Sequence, residues 1–449
     1  MIDSTIQQVG HAAGTRVTAV DAVRGLVIML LVPDLFGGFS FHAMATRYPE
    51  DQVWVTLGSL FSHVEWEGIS VWDMIMPVFV LVVGVSLAFS HGQSERPSAD
   101  GDFRLAKAAL RSLALILLGL ILFITPQGPI DALVPYVVLS TGLPIERWMQ
   151  RFIGSDPVTL RRVRLLRVSA TLLIAIAWLA TNYLRLGNYD LIHIFILIGL
   201  AYFPAAALSR HGLHRQWAIA IGILVIYAAA FTLYAASIRP DVPQDLRQLM
   251  FAAWTRDLNL GQAFDLWFLN LLPRAEVFAG SAHGYHTLQF VPLISTMLIG
   301  RVIGAHILSS RHLPRLGLTL LAGSLSAVAI GYVMSVAMFP LVKSVWTPSW
   351  AVLSTGLAGA VLAAFLCVDG TTFGGRWPIR ALAPLGTNAA LLYTLAAHDR
   401  WRIVAGWKRL LGADAFAVAW QPVLASLLVL ATLWLLAAIL HRWRVFVTL

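Results

Sequence analysis

The chain has 449 residues, of which 58% are hydrophobic and only 12% are charged, and its mean hydropathy is +0.75. A water-soluble domain carries about 25% charged residues, so this composition excludes a soluble enzyme and a disordered chain. The net charge of +9 comes almost entirely from arginines in short runs between apolar segments, a pattern that orients membrane helices and does not indicate a nucleic-acid partner. We expect an all-α polytopic membrane protein.

Cysteine and histidine usage restricts the chemistry. Cys367 is the only cysteine, which excludes a disulfide within the chain and a cysteine-based metal cluster. The histidines have no regular ligand spacing, so we expect no metal. Residues 1–20 lack the apolar core of a signal peptide and are expected to form a cytoplasmic tail, after which the first span inserts uncleaved.

A bilayer core needs about 20 mostly apolar residues per helix, and twelve windows of the chain meet this condition. The predicted spans are 22–43, 69–90, 106–125, 128–145, 168–186, 188–208, 217–237, 287–308, 316–339, 350–368, 380–398 and 420–441.

Basic residues follow every second predicted span, so the positive-inside rule places both termini in the cytoplasm. Residues 21–449 then form a single transmembrane domain, in which the outer loop 238–286 is expected to contain short amphipathic helices. The outer loop 399–419 breaks the rule, because it carries Arg400, Arg402, Lys408 and Arg409.

Several polar residues fall inside predicted spans, where a charge costs about 2.5–3.5 kcal/mol and usually marks a function. Asp34 is predicted at the middle of the first span, which favours a functional role. Asp73 fits a helix-capping role and a catalytic role equally well. Asp190 and His193, three residues apart, fit a structural hydrogen bond or a proton relay, and Asn388 lies within the eleventh span.

The segment that precedes the second span reads Ser62-His63-Val64-Glu65-Trp66-Glu67-Gly68. An imidazole has an ordinary pKa near 6.5, and a carboxylate can fix its tautomer, so a histidine beside acidic residues has the properties of a general base. By itself, the segment also fits a solvated loop histidine.

Further motifs favour a functional role for His63. Together with the His63 segment they form a set of six, which occur in this order along the chain: Asp21-Ala22-Val23-Arg24-Gly25-Leu26, the His63 segment, Asp73-Met74-Ile75-Met76-Pro77-Val78-Phe79, Gly84-Val85-Ser86, the run from Pro340 to Ser349 (PLVKSVWTPS), and Gly386-Thr387-Asn388 with Tyr393. This set resembles the heparan-α-glucosaminide N-acetyltransferase family. Asp34 stands near an asparagine of the family pattern, and the segment Tyr189 to Leu197 lacks a family motif.

The resemblance implies an acyl-CoA-dependent N- or O-acetyltransferase. Such an enzyme moves an acetyl group from cytosolic acetyl-CoA to an amino sugar or another glycan on the outer side, and the family's essential histidine corresponds to His63. A homodimer is expected by the same analogy. The bias of arginine over lysine favours a bacterial inner membrane, with His63 on the periplasmic side.

Charge and position assign the other expected roles. The basic inner residues Arg24, Arg301 and Arg380 are candidates to bind the CoA phosphates, although Arg24 and Arg301 also fit snorkelling to the interface. Asp73 or Asp190 would orient the His63 ring, and Asn388 would stabilise the developing oxyanion.

Two other classes remain open. A proton-coupled secondary transporter or lipid flippase would use Asp34, Asp190 and His193 as a relay. A scaffold for envelope assembly would leave the carboxylates within the predicted spans without a purpose.

Overall fold

The computed structural model describes residues 17–447, apart from 36–37, 92–99, 123–128, 144, 146–156, 187–190, 239–244, 275, 282–283, 370–377 and 413. In these residues the chain is helical, and its only β pairing is one isolated bridge between Glu67 and Val342. The α-helices are α1 (Thr18–Leu31), α2 (Phe41–Arg47), α3 (Gln52–Leu60), α4 (Ile75–His91), α5 (Asp100–Leu122), α6 (Pro129–Ser140), α7 (Pro157–Leu186), α8 (Ile194–Leu208), α9 (Leu213–Ile238), α10 (Leu246–Ala252), α11 (Leu260–Phe268), α12 (Phe290–Ser309), α13 (Leu313–Ala337), α14 (Pro348–Val368), α15 (Pro378–Thr387), α16 (Ala389–Leu411) and α17 (Gln421–Arg442).

Eight segments of the described residues are helical, long and apolar enough to cross a membrane. They are Trp72–Ser90, Arg104–Leu122, Arg162–Asn182, Leu213–Ile238, Thr287–Ser309, Leu313–Ala337, Pro348–Val368 and Gln421–Arg442. The expected all-α membrane architecture is thus confirmed at the level of helices, while twelve crossings and cytoplasmic termini stay predictions. Two shorter apolar helices, Asp131–Ser140 and Ile194–Leu208, correspond to further predicted spans.

Two predicted spans are interrupted. The first helix ends at Leu31, where Pro33 has no N–H to continue the hydrogen-bond ladder and its ring collides with the preceding turn. The window 380–398 divides at Asn388, whose φ of −127° and ψ of 32° separate α15 from α16. Asp34 therefore lies beyond the end of α1, and its expected position in the middle of a span is wrong.

The centre of the bundle is formed by α4 and α12 with α5 and α8, which share a continuous cluster of buried aliphatic side chains. Glycines allow α4 and α12 to pack backbone to backbone. A β-carbon added to Gly84 would lie 2.2 Å from the carbonyl oxygen of Met297, and one on Gly300 would lie 2.2 Å from that of Leu81. Small residues permit the same close approach in other membrane helix pairs.

Short helices cover one end of the bundle between α9 and α12. Trp254, which follows α10, is fully buried and stacks on Phe231 of α9 with ring centroids 4.4 Å apart. The hydroxyl of Tyr227, also on α9, donates to the carbonyl of Val345 at 2.8 Å. These contacts fix the irregular segment 339–347 against the end of the bundle.

The end of α1 and the beginnings of α4, α14 and α17 all lie at this end of the bundle. Ser40, before α2, lies 2.7 Å from Ser426 of α17 through their hydroxyl oxygens. Lys343, five residues before α14, contacts Asp73 just before α4. Residues that are distant in sequence thereby meet on one face.

Candidate active site

His63, Asp73 and Lys343 form a compact charged cluster at this face. The Nδ1 atom of His63 is 2.7 Å from Oδ1 of Asp73. Nζ of Lys343 is 3.0 Å from each of these two atoms. The His63 side chain is 50% exposed, whereas those of Asp73 and Lys343 are 2% and 10% exposed. The imidazole is therefore the member of the cluster that a substrate can reach.

Local sequence holds the Asp73 carboxylate. Its Oδ2 atom accepts hydrogen bonds from the Ser70 hydroxyl at 2.8 Å and from the Val64 amide at 3.2 Å. The Ser70 oxygen in turn accepts from the Asp73 amide at 3.1 Å, which begins the short 3₁₀ turn before α4. Asp73 thus helps to order the helix start and also binds His63, so the two roles weighed for it coexist.

The segment around Lys343 is fixed on both sides. The Gly68 amide donates to the Leu341 carbonyl at 2.9 Å, which ties the His63 loop to this segment. Gln289, fully buried, donates from Nε2 to the Lys343 carbonyl at 3.0 Å. The Lys343 ammonium also lies over the Tyr285 ring, 5.5 Å from its centroid.

Two neighbours of the His63 Nδ1 atom act on its protonation in opposite ways. A proton on Nδ1 is donated to the Asp73 carboxylate and leaves the lone pair on Nε2, whereas the Lys343 ammonium, a donor 3.0 Å from the same atom, favours an unprotonated Nδ1. The Lys343 cation also balances the buried Asp73 charge, which lowers the cost of keeping the carboxylate ionised. With the proton on Nδ1, the imidazole can accept a proton or attack an electrophile through Nε2.

Only some of the residues expected near His63 lie beside it. Asp73 contacts it, but Asp34 binds the Ser40 hydroxyl at 2.7 Å and lines a cavity to which His63 does not contribute. Asn388 is fully buried, and its amide group bonds to the C-terminal segment through the Val445 carbonyl and the Val447 amide. These bonds occupy the group that was expected to stabilise an oxyanion.

Asp190 lies outside the described residues. His193 was expected within a helix but lies just before one, because α8 begins only at Ile194. Instead His193 caps that helix by accepting from the Phe195 amide at 3.3 Å, and its Nε2 lies 3.3 Å from the Tyr393 hydroxyl.

Two of the three predicted phosphate-binding arginines lie beside α4, towards the end of this helix that is opposite Asp73. Arg24 forms an ion pair with Asp21 at 2.9 Å and hydrogen bonds to Ser86 of α4. Arg301 of α12 follows Gly300, which packs against the backbone of α4, and its buried Nε has no hydrogen-bond partner among the described residues. Arg380 is exposed at the start of α15.

Lys343 was not among the predicted site residues. It is one of only three lysines in the chain and stands in the motif PLVKSVWTPS, so the motif contained the signal. Its role depends on a contact with Asp73, 270 positions away, which no local pattern reveals.

Comparisons with known proteins give a weak and partial match. No family model matches the chain. A segment of 107 residues, 24% of the chain, is 29% identical to the heparan-alpha-glucosaminide N-acetyltransferase of Homo sapiens and covers 14% of that protein's length. This match supports at most a distant relationship to a transmembrane acetyltransferase.

Proposed function

We propose that this chain is a transmembrane acetyltransferase that uses acetyl-CoA from one side of the membrane to acetylate an amine or hydroxyl of a glycan on the other side. The observation that carries this proposal is the reachable imidazole of His63, whose Nδ1 atom contacts both the Asp73 carboxylate and the Lys343 ammonium. The distant match to an acetyltransferase is compatible with it.

In the one-step route, His63 acts as a general base. The acceptor amine or hydroxyl attacks the thioester carbonyl while Nε2 of His63 takes its proton, and a bond from carbon to nitrogen or oxygen forms. The carbon–sulfur bond then breaks, and the imidazolium returns the proton to the CoA thiolate. Asp73 stabilises the imidazolium during this interval because its carboxylate remains hydrogen-bonded to Nδ1.

A two-step route uses the same atoms. Nε2 first attacks the thioester, the carbon–sulfur bond breaks, and CoA leaves as the thiolate, with the acetyl group on His63. The acceptor then attacks that acetyl group, its bond to Nε2 breaks, and the acceptor's proton passes through the released imidazole to the CoA thiolate. Acid-quenched protein incubated with radiolabelled acetyl-CoA alone distinguishes the routes, since only the two-step route leaves label on His63.

The nucleotide end of acetyl-CoA is assigned to Arg24 and Arg301, which lie towards the opposite end of α4 from Asp73. Guanidinium groups bind phosphate through charge-assisted hydrogen bonds. Arg301→Gln should therefore reduce the thermal stabilisation that CoA gives to the protein. Arg315→Gln, on the exposed surface of α13, should leave it unchanged.

The test of the proposal separates binding from transfer. Purified protein in nanodiscs is given labelled acetyl-CoA and a panel of amino sugars and glycans, and His63→Ala is compared with wild type. We expect transfer to fall by about 10²–10⁴-fold while CoA still raises the melting temperature. His42→Ala is the matched control, because His42, at the start of α2, contacts Ser62 next to His63.

The proposal fails if no acyl-CoA stabilises the wild-type protein, or if His63→Ala transfers acetyl at the normal rate. Sidedness is tested with Glu65→Cys in a Cys367→Ala background, since the Glu65 side chain is 91% exposed. Labelling of this thiol from the cytosolic side alone would contradict transfer across the membrane.

The transporter alternative gains no comparable support. Its proton relay needs Asp34 and His193 in one chain of groups, whereas Asp34 bonds to Ser40 and His193 pairs with Tyr393.

A further inference from the structure

A polar cavity that the proposed reaction does not use lies between α2, α16 and α17. Its volume is about 510 Å³. The residues that give it chemical character are Asp34, Ser40, Arg400, Trp401, Lys408 and Gln421. We name it the Arg400 pocket. Its lining carries two cations and one carboxylate, so a ligand with both an anionic and a cationic group would match it.

Arg400 is anchored by part of its guanidinium group. Its Nε atom donates to the Pro33 carbonyl at 2.9 Å, and Nη2 lies 3.3 Å from the Ser426 hydroxyl and 3.5 Å from that of Ser40. The Nη1 group has no hydrogen-bond partner among the described residues. A guanidinium held on one side and available on the other is suited to bind a phosphate oxygen.

Lys408 supplies the second positive charge from the same helix. It lies eight residues after Arg400, about 12 Å along the axis of α16, and Val404 between them also faces the pocket. The Lys408 ammonium also lies over an aromatic face, that of Phe416, 5.6 Å from the ring centroid. The two long, positively charged side chains therefore line the same wall of the pocket.

The residues at the mouth of the pocket fit a position at the membrane interface. Gln421, which lines it, begins a candidate membrane span. Trp401 and Trp420 are 65% and 46% exposed, and tryptophans are typical of the boundary between lipid and water.

The basic residues of 399–419 therefore have a purpose other than setting orientation. Arg402 forms an ion pair with Asp399, and Arg400 and Lys408 line the pocket. Only Arg409, which is exposed, remains outside these groups. In the predicted topology this segment goes against the positive-inside rule, and a bound phosphate would account for the positive charge there.

We propose that the Arg400 pocket binds the head group of an aminophospholipid. The phosphodiester lies against Arg400 and Lys408, and the primary ammonium group lies against the carboxylate of Asp34. A purely anionic head group has no ammonium to pair with the Asp34 carboxylate. A trimethylammonium group has no N–H to donate to it.

The experiment counts lipids that remain bound to the detergent-solubilised protein in native mass spectrometry. Equal amounts of phosphatidylethanolamine, phosphatidylglycerol and phosphatidylcholine with matched acyl chains are offered, and soluble phosphoethanolamine and inorganic phosphate are tested as competitors. We expect phosphatidylethanolamine to be retained most strongly. Displacement by the soluble head group at low concentration would assign the site to a free metabolite instead.

Three variants assign the charges. Arg400→Gln and Lys408→Gln should each weaken retention of phosphatidylethanolamine by about 10- to 100-fold, as expected for a lost charged hydrogen bond. Asp34→Asn should remove the preference over phosphatidylglycerol while binding of phosphatidylglycerol persists. Arg409→Gln is the matched control and should change nothing.

Equal retention of all three lipids, or a preference that survives Arg400→Gln, would overturn the proposal. Thermal unfolding and gel filtration of each variant show whether it is folded. Arg409→Gln and Lys408→Gln change exposed side chains, so the comparison between them does not depend on the more buried Arg400.

Discussion

Two histidine–aspartate pairs lie near each other at one end of the bundle, and they differ in exposure and in geometry. In the first, the His63 side chain is 50% exposed, and its Nδ1 lies 2.7 Å from Asp73. In the second, His286 and Asp265 are 1% and 0% exposed, and Nδ1 and Oδ2 are 3.4 Å apart. Lys343 accompanies only the first of these pairs.

The second pair is built into the scaffold. Asp265 accepts a hydrogen bond from the Thr287 amide at 2.9 Å, which fixes the turn that carries Gln289 towards Lys343. Both ring nitrogens of His286 are buried without a hydrogen-bond partner among the described residues. A substrate cannot reach this imidazole. Exposure of the ring and a balanced set of charges, rather than the residue types alone, distinguish a candidate catalytic pair from a structural one.

The largest expected effect comes from removing one charge of the first pair. Lys343→Met leaves the buried Asp73 carboxylate without its cation, and the loss of one partner of a buried ion pair costs about 3–5 kcal/mol. We expect a strong fall in melting temperature and in acetyl transfer. Asp73→Asn alone should also destabilise the protein, because it leaves the Lys343 cation buried.

The double variant Asp73→Asn/Lys343→Met sharpens this test. It should recover much of the melting temperature that each single change removes, since no buried charge is left unpaired, yet it should not recover transfer. Additive losses of stability in the double variant would show that the two residues do not form the ion pair described above.

The second pair should affect stability without affecting chemistry. Asp265→Ala leaves the buried Thr287 amide without an acceptor, which costs about 1–3 kcal/mol. The fraction of active protein should fall, while the decrease of transfer towards acidic pH, where the base becomes protonated, should keep its position. Asp257→Asn, at a side chain that is 60% exposed, is the matched control. A shifted pH profile in Asp265→Ala would give the second pair a role in the reaction.

The sequence predicted the helical membrane class, because hydropathy is a local property; the role of His63, inferred from the order of the motifs, stays a prediction. It could not predict Lys343 as a partner of Asp73, since their contact joins positions 270 apart. Nor did it separate Asp34 from the His63 site, because the break of the first helix after Leu31 was not anticipated.

Nearness in sequence also failed to predict which carboxylate contacts His63. Glu65 and Glu67 flank this histidine in sequence, but Asp73, ten positions away, reaches its ring. In a loop, adjacent side chains need not point the same way, whereas the Ser70 hydrogen bond and the turn before α4 fix Asp73. Asn388 shows the opposite case, in which a motif residue with suitable chemistry holds the C-terminal segment.

A smaller loss of stability and transfer is expected for a change at Gln289, which connects the turn held by Asp265 to Lys343. Gln289→Leu removes the hydrogen bond to the Lys343 carbonyl, a contribution of about 0.5–1.5 kcal/mol. Because the carbonyl belongs to the residue that balances Asp73, transfer should fall more than stability alone explains. Gln421→Leu, at a half-buried side chain in the Arg400 pocket, is a control for the loss of a glutamine. Identical transfer in Gln289→Leu and wild type would show that the second pair does not position the first.

The smallest effect is expected for the acidic residues next to His63. The Glu65 side chain is 91% exposed, and its oxygen lies 3.7 Å from Arg256, a type of surface pair that contributes about 0–1 kcal/mol. Glu65→Gln should therefore leave the melting temperature and the rate of acetyl transfer close to those of wild type. A large loss of transfer in Glu65→Gln, with normal binding of CoA, would mean that the His63 loop rearranges when substrate binds. The contact between His63 and Asp73 would then describe only the resting state of the site.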